Sequence, residues 1–336
     1  MENKQTDKVA AVDIAVVVPF YQKSAGVLTK AIRSALSQTI ADRLVVVIVD
    51  DGSPLPARQE VEVLDVNEQS SILLIEQPNG GAGSARNRAL NNLPEGIEYV
   101  AFLDSDDEWV PEHLENAVTA LEMGFDAYFS DHFAALYKDI SNFTRIGTLK
   151  VTEHQLLDES REIFGMNISM IDHIVADGGG VIGTSNAVYR YRAFPKLRFR
   201  EEFYNGQDFF FWMDLSDQGA KWCFSTQIHC HCGTGINIYS GSGWGTDKSL
   251  QRIRNELFIW TSVERFYHLP ADLLAANRKT IRNLKESVVR DLVHRIGHFK
   301  PVPMHLLADI LKMVPSVLPL LLVFPFKIIK EKVSNN

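Results

Sequence analysis

The sequence predicts an α/β protein: a mixed, mainly parallel sheet with helices on both faces, followed by a helical C-terminal extension. Three observations lead there. Four short runs, Ile14–Val18, Leu44–Val49, Ser71–Ile75 and Tyr99–Leu103, are nearly unbroken in β-branched and aliphatic residues, as strands buried on both faces require. Segments with helical spacing lie between them, the alternation of right-handed βαβ units and a doubly wound sheet. From about residue 248 the pattern turns helical and stays so to about residue 300.

Taken in order, the first run leads to Val27, Leu28, Ala31, Ile32, Ala35 and Leu36, the single apolar stripe of a helix packed on a sheet. A second helix runs through Ala85, Ala89 and Leu90. A third starts at Pro111, a residue suited to a first helical turn, and repeats Leu114, Ala117, Val118 and Leu121. Residues 130–178 mix aromatic and charged residues with weak periodicity and read as loops with short helices. Gly178–Gly180 lead into a strand over Val181–Tyr189, Gly206–Gln218 reads as helix, and Trp222–Ile228 as extended chain. The Gly/Ser-rich stretch Gly233–Gly245 separates this part from the C-terminal helices. The expected division is a sheet domain over 12–247 and a helical region over 248–336.

Composition narrows the function. With 336 residues, 46% hydrophobic and 23% charged, the chain can bury a sizeable core. Three cysteines make no disulfide framework and fit a reducing, cytoplasmic compartment. The polar start carries no apolar core of a secretory signal, and no run of 18 uncharged apolar residues reads as an ordinary transmembrane helix. A net charge of −8 argues against broad nucleic-acid binding. The charge is uneven, however. Arg278 to Lys332 holds eleven Lys/Arg against four acids, a net +7 that leaves −15 for the rest, so body and tail suit different partners.

Ligands of such sheets bind beyond the carboxyl ends of the strands, and four predicted strand ends carry polar residues. They are Pro19-Phe20-Tyr21-Gln22, Asp50-Asp51-Gly52-Ser53, Asn79-Gly80-Gly81-Ala82-Gly83-Ser84-Ala85-Arg86-Asn87 and Asp104-Ser105-Asp106-Asp107. Each alone is an ordinary turn, loop or helix cap. Together on one edge they suit a nucleotide diphosphate with its metal. Asp104 and Asp106, two apart in extended chain, project the same way. A hard cation such as Mg²⁺ or Mn²⁺ needs only one or two carboxylates when phosphate and water complete its shell. Asp51 suits a base N–H, Tyr21 a stacked base, and Arg86 the diphosphate.

These motifs resemble the family 2 inverting glycosyltransferases of GT-A fold, a nucleotide-diphospho-sugar transferase fold. The matches are Val16-Val17-Val18-Pro19-Phe20-Tyr21, Ser34-Ala35-Leu36-Ser37-Gln38-Thr39, Val49-Asp50-Asp51-Gly52-Ser53, Asn79-Gly80-Gly81 with Ala85-Arg86-Asn87, and Asp104-Ser105-Asp106-Asp107, in the family's order and spacing. The resemblance is strong over 12–135, fair over 180–245 and absent beyond about 270. It implies that Tyr21 and Asp51 hold the base of a UDP-sugar, with Pro19 and Ser105 in the same donor-binding motifs. Asp104 would contact the ribose and Asp106 the divalent metal. It implies a general base at Asp208, in Gly206-Gln207-Asp208-Phe209-Phe210-Phe211-Trp212, with Asp214 and Asp217 as rivals on the same helix. Gln207 stands where the family's usual Glu precedes that Asp, which removes one negative charge beside the base. Gln207 and Trp244 would face the acceptor or form its lid. The segments around Gln207 and Ser242-Gly243-Trp244-Gly245-Thr246 look most like β-glucosyltransferases of succinoglycan-type exopolysaccharide assembly. The alternatives are a nucleotidyltransferase making nucleotide sugars, for whose Gly-rich signature the chain offers only Ser24-Ala25-Gly26, and a non-catalytic nucleotide-sugar-binding protein of the same fold, which could dispense with Asp208 and the paired acids. A dinucleotide oxidoreductase needs Gly-x-Gly-x-x-Gly after the first strand, which is missing.

His229-Cys230-His231-Cys232 invites a zinc reading, but alternation in a strand sends the two His to one face and the two Cys to the other. The open readings are buried strand residues, or one His reaching the metal or diphosphate, with His231 the choice over His229. Finally, Met313–Phe326 is uncharged, bounded by Lys312 and Lys327, and broken by Pro315, Pro319 and Pro325. Its fourteen residues reach about 21 Å as helix, short of a bilayer core of about 30 Å. Beside a basic region it suits the interface of an anionic membrane, as a peripheral contact on the inner face of the cell membrane. Packing on protein is the other reading. Membrane contact would bring the enzyme to a lipid-linked saccharide acceptor.

Overall fold

The computed structural model describes residues 12–235, 242–246 and 248–321. Ten strands form one sheet: β1 Ile14–Phe20, β2 Leu44–Asp50, β3 Ile72–Glu76, β4 Tyr99–Phe102, β5 Glu108–Trp109, β6 Ala127–Phe133, β7 Gln155–Asp158, β8 Ile163–Gly165, β9 Ala187–Tyr189 and β10 Trp222–His231. Their order is β3-β2-β1-β4-β9-β6-β10-β8-β7, with β5 paired to β10. The first four strands run parallel. β9 enters antiparallel between β4 and β6, which makes the sheet mixed.

β1 lies between β2 and β4 and is almost wholly buried, as its Ile-Ala-Val-Val-Val run requires. Pro19 is tolerated in this central strand for a geometric reason. Val17 accepts the Leu103 N–H at 3.0 Å, so Pro19, two residues on, turns the same edge outward. β4 has ended by then, and the missing N–H is not needed. The helix Val27–Leu36 buries Leu28, Ala31, Ile32 and Ala35, the stripe read from the sequence. The third helix spans His113–Glu122, two residues inside the expected start.

The middle of the chain differs more from expectation. Within 130–178 the structure has the end of β6 and the hairpin of β7 and β8 besides short helices. β7 is a sheet edge with Leu156 half exposed, so its sequence never had to alternate cleanly. The expected strand over Val181–Tyr189 shrinks to β9. Thr184–Asn186 form a single 3-10 turn in which the Asn186 carboxamide accepts from the Gly183 N–H at 2.9 Å and donates to Ser130 O. A side chain here does the work of a ladder.

The helix Gln207–Asp217 buries Phe210, Phe211, Trp212, Met213 and Leu215. Phe211 stacks on Phe199 at 4.2 Å and meets Phe102 edge-on at 5.4 Å. Each such ring contributes about 1.5–3 kcal/mol by burial, which fixes this helix, and with it Asp208, against the end of β4.

Contacts divide the described chain into two compact units. Residues 12–201 and 207–235 form the sheet unit, and residues 202–206, 242–246 and 248–321 form the second. The sequence put the division at 247/248. Residues 242–246 instead join the helical unit because Asp291 accepts from Gly245 N–H at 2.7 Å and Arg295 donates to Thr246 O.

The second unit is built from helices Ser249–Phe266, Ala271–Gly297 and Met304–Met313. Leu250, Ile253 and Leu257 of the first meet Ile281, Leu284, Val288 and Leu292 of the second and Leu306 and Ile310 of the third. Asp291 and Arg295 pair inside this core at 2.7 Å. Arg295, one of the eleven tail cations, is therefore a buried structural group and offers nothing to a surface. Asp291→Ala leaves that guanidinium buried without its carboxylate. We expect a loss of about 3–5 kcal/mol of stability, measured by urea unfolding, and a much smaller loss would mean the pair is poorly formed.

Candidate active site

Because β1 to β4 are parallel, their carboxyl ends share one edge, and the expected motifs meet there. Tyr21, just past β1, is 38% exposed, as a stacking surface needs to be. At the end of β2 the two aspartates divide the labour. Asp50 caps its own turn, accepting from Ser53 N–H at 2.8 Å and Ala57 N–H at 2.7 Å. Asp51 faces the glycine loop. Its Oδ1 accepts from Gly80 N–H and the Gln77 amide, and its Oδ2 from Gly81 N–H, each at 2.8 Å. The sequence offered Asp51 to a base N–H. The structure shows it first organising residues 77–81, with lone-pair capacity left on Oδ2 for one more donor.

Arg86, on the helix Ala82–Leu90, is buried. The sequence set it against a diphosphate, whereas here its Nη2 binds Asp104 Oδ1 and its guanidinium lies 5.3 Å from the Phe199 ring. Its Nε–H is buried without a protein acceptor, so one donor remains unspent. Asp208 lies in the first turn of the helix Gln207–Asp217, within electrostatic reach of this pair. Burial pushes its carboxyl above the usual range, and the Arg86 cation opposes that rise. Asp104 adds to it. Arg86, Asp104 and Asp208 thus act on one another directly. The rival Asp214 is held bidentately by Arg200 at 2.9 and 2.8 Å, which commits it to structure.

The acidic motif after β4 is a turn closed by the Asp107 N–H on Asp104 O at 3.0 Å, not the extended chain the sequence suggested for Asp104 and Asp106. Asp104 N–H donates to the Ser185 hydroxyl at 2.9 Å, and the Ser105 hydroxyl accepts from Gln22 at 3.2 Å. Asp106 Oδ2 accepts from Gly235 N–H at 2.6 Å, and Asp107 Oδ1 from Gly233 N–H at 2.8 Å. A Cβ on Gly233 would sit 1.8 Å from the Asp106 carbonyl oxygen, so only glycine permits this approach. Burial, then the neighbouring charge of Asp104, raises the Asp106 carboxyl. For Asp107, burial followed by Asp104 and Asp106 pushes it up to about 8.

The remaining candidates spread out. Gln207 is buried against the helix Ala82–Leu90, so close that a Cβ on Gly83 would lie 2.6 Å from its Oε1. Trp244 belongs to the helical unit, where it is exposed. His231 stands opposite Glu108 in the ladder, exposed, its ring 5.6 Å from Phe133. His229 is buried with its ring nitrogens near Asn116 and Tyr128, each at 3.1 Å, and burial pushes it down to about 4. It is a neutral core histidine, which leaves no four-ligand zinc site in His229-Cys230-His231-Cys232.

Two supports escaped the sequence: Ser185 holds Asp104, and Gln77 holds Asp51. A third, Asn87, stands in the Ala85-Arg86-Asn87 motif and clamps the Phe199 backbone through two 2.8 Å bonds. Ser185 and Gln77 lie in unremarkable sequence.

Comparison with known proteins agrees with this edge. The family model described as "Glycosyl transferase family 2" matches residues 15–198. The succinoglycan biosynthesis protein ExoW of Rhizobium meliloti is 28% identical over 253 residues, covering 75% of this chain and 77% of that protein. The amylovoran biosynthesis glycosyltransferase AmsB of Erwinia amylovora is 29% identical over 224 residues, covering 64% and 68%. Among solved structures, residues 1–349 of S. aureus TarS in complex with UDP-GlcNAc align with TM-score 0.57 at 17% identity, covering 91% and 80%. The mannosyltransferase PcManGT of Pyrobaculum calidifontis, in complex with GDP-Man and Mn²⁺, aligns with TM-score 0.54 at 16% identity, covering 95% and 84%. These likenesses establish the GT-A fold, and the match of more than half the chain to the family model establishes the rest: the protein belongs to glycosyl transferase family 2 and is a glycosyltransferase.

Proposed function

We propose that the chain is an inverting transferase that moves glucose from UDP-glucose to a hydroxyl of a lipid-linked saccharide in exopolysaccharide assembly. One observation carries the chemical part. Asp208, a carboxylate with a raised pKa, lies within electrostatic reach of the Arg86–Asp104 pair at the same edge as Tyr21, Asp51 and Asp106. The likeness to ExoW, a succinoglycan biosynthesis protein, supports the pathway.

The residues present fit a hard divalent cation. Asp104 and Asp106 offer only oxygen, and the Asp106 carboxyl, raised by burial and then by the charge of Asp104, is in the state that a bound cation relieves. Mg²⁺ or Mn²⁺ held there by Asp106 would neutralise charge on the departing diphosphate. The protein's own groups do the rest. Tyr21 and Asp51 hold the base, the free Arg86 Nε–H is one more donor for a donor-substrate oxygen, and Asp104 turns to the ribose. Asp208 Oδ takes the acceptor hydroxyl's proton as that oxygen attacks the anomeric carbon opposite the nucleotide. The configuration inverts in one displacement through an oxocarbenium-like state. No covalent enzyme intermediate forms.

The membrane part rests on the helical unit. A groove of about 820 Å³ there is lined by the cations Arg265, Arg278, Arg282 and Lys285, the acids Glu264 and Glu286, and the apolar Met313, Val314, Pro319 and Leu320. Arg278 pairs with Glu264 at 3.4 Å, and four cations against two acids leave a positive excess beside apolar surface. Such a groove suits the inner face of an anionic membrane. No helix among the described residues is long and apolar enough to cross a bilayer, and residues 322–326 of the apolar tail lie outside those described.

The test is UDP release from a donor panel with Mn²⁺ and lipid-linked saccharide extracts. UDP-glucose should be preferred, and the product should be the β-anomer; a retained anomer rules out the mechanism. In flotation, the full chain should follow anionic but not neutral liposomes, and Arg282→Glu with Lys285→Glu should abolish that. Equal binding to both liposomes removes the membrane reading.

A further inference from the structure

We propose that Cys230, Cys232 and Asp107 form a second metal site, for a soft divalent cation of the zinc class, separate from the hard-cation site on Asp106. It does not depend on the identity of the sugar donor.

Cys230 lies near the end of β10 and Cys232 just past it, and the two thiols turn to the same side of the chain. That side meets Asp107. One ligand atom from each of the three residues lies within 4.8 Å of the others. Cys230 is fully buried and Asp107 nearly so. The scaffold is rigid. Cys230 pairs with Trp109 in β5 and His132 in β6, Cys232 N–H donates to Phe133 O at 2.9 Å, and Asp107 N–H donates to Asp104 O at 3.0 Å.

Tetrahedral zinc with sulfur at about 2.3 Å sets its ligand atoms about 3.8 Å apart. The three groups therefore need to close by about 1 Å or less, a side-chain adjustment that leaves the backbone in place. As the sulfur–metal bonds form, the two thiol protons and any proton on Asp107 pass to solvent. Cys232, only partly buried, leaves a side open for water as fourth ligand. Thiolates select zinc or cadmium, whereas the oxygen-only pair Asp104 and Asp106 suits magnesium or manganese. A disulfide fits less well. Residues two apart in a strand stand about 6.8 Å apart at Cα, the outer limit for that bond.

The site has a consequence for turnover. The Asp107 carboxylate it would use already receives Gly233 N–H, and the same short loop supplies Gly235 N–H to Asp106. A zinc-class ion can take the other Asp107 oxygen, but drawing the carboxylate toward the thiols pulls Oδ1 from Gly233 N–H and disturbs the loop beside Asp106. The bound ion is therefore inhibitory.

The probe is Cd²⁺ added to the reduced full-length protein, read by sulfur-to-cadmium charge-transfer absorbance. One equivalent should saturate the band in the wild type and in Asp106→Asn. Zn²⁺ should displace it, and Cys232→Ser should weaken binding at least about ten-fold. Cys232→Ser should keep the wild-type melting temperature and its Mg²⁺-supported turnover while losing the inhibition that micromolar Zn²⁺ causes in the wild type. No band, or a band that persists in both Cys230→Ala and Cys232→Ser, overturns the site. Equal Zn²⁺ inhibition of wild type and Cys232→Ser overturns its link to turnover. The absorbance reads the site even if the donor assignment fails.

Discussion

Asp208→Asn should lower turnover by about 10²–10⁴-fold, the range for a positioned general base, while donor affinity measured by calorimetry stays close to that of the wild type. The substitution is nearly isosteric. The amide oxygen can still accept the Phe209 N–H that Asp208 Oδ1 accepts at 3.0 Å, so the helix start should hold. What disappears is the group proposed to take the acceptor's proton. The pH profile gives a second readout. Burial raises the Asp208 carboxyl, with Arg86 only partly opposing it. The charged, active form is therefore lost on acidification at a pH above the ordinary carboxylate range. Activity should fall along that limb in the wild type, and the limb should vanish from the residual rate of Asp208→Asn. Wild-type turnover in the variant would remove Asp208 as the base. Asp214 could not inherit the role while Arg200 holds both of its oxygens.

Asp106→Asn should separate activity from stability. Loss of the cation's stabilisation of the leaving group is worth several kcal/mol, here about 4 kcal/mol or roughly 10³-fold in rate, and donor binding should cease to depend on the metal. The metal-free protein should nonetheless melt at the wild-type temperature or slightly above it near neutral pH. The sign follows from the raised carboxyl. A group whose folded pKa lies above its unfolded value opposes folding once it is ionised, so an uncharged amide removes first the cost of burying that charge and then its repulsion by Asp104. The amide oxygen also still accepts Gly235 N–H. A variant that loses stability together with activity would show Asp106 to be a structural residue.

The legible parts of the sequence were those with strong periodicity. β1, β2 and β4 are continuous aliphatic runs, and Val27–Leu36 keeps its stripe. The site motifs were legible because parallel strands bring their ends to one edge, so four local patterns become one place. Pairings within the site were not. Nothing in the order of residues tells that Arg86 turns to Asp104, eighteen positions on, or that Ser185 reaches Asp104 across eighty-one. β7 and β8 were hidden because an edge hairpin carries little periodicity. Asn186 was hidden because its carboxamide replaces backbone pairing within the residues read as strand. Arg295 was misjudged because a count of charges does not show which of them has a buried partner.

The grip of Asp51 on Gly80 and Gly81 has an outcome for kinetics. On the proposed role of Asp51, the floor beneath the incoming base is assembled by folding itself, so the substrate would meet a shape that already exists. Association with the nucleotide should accordingly be fast and only weakly dependent on temperature, with slow steps reserved for whatever the acceptor must do.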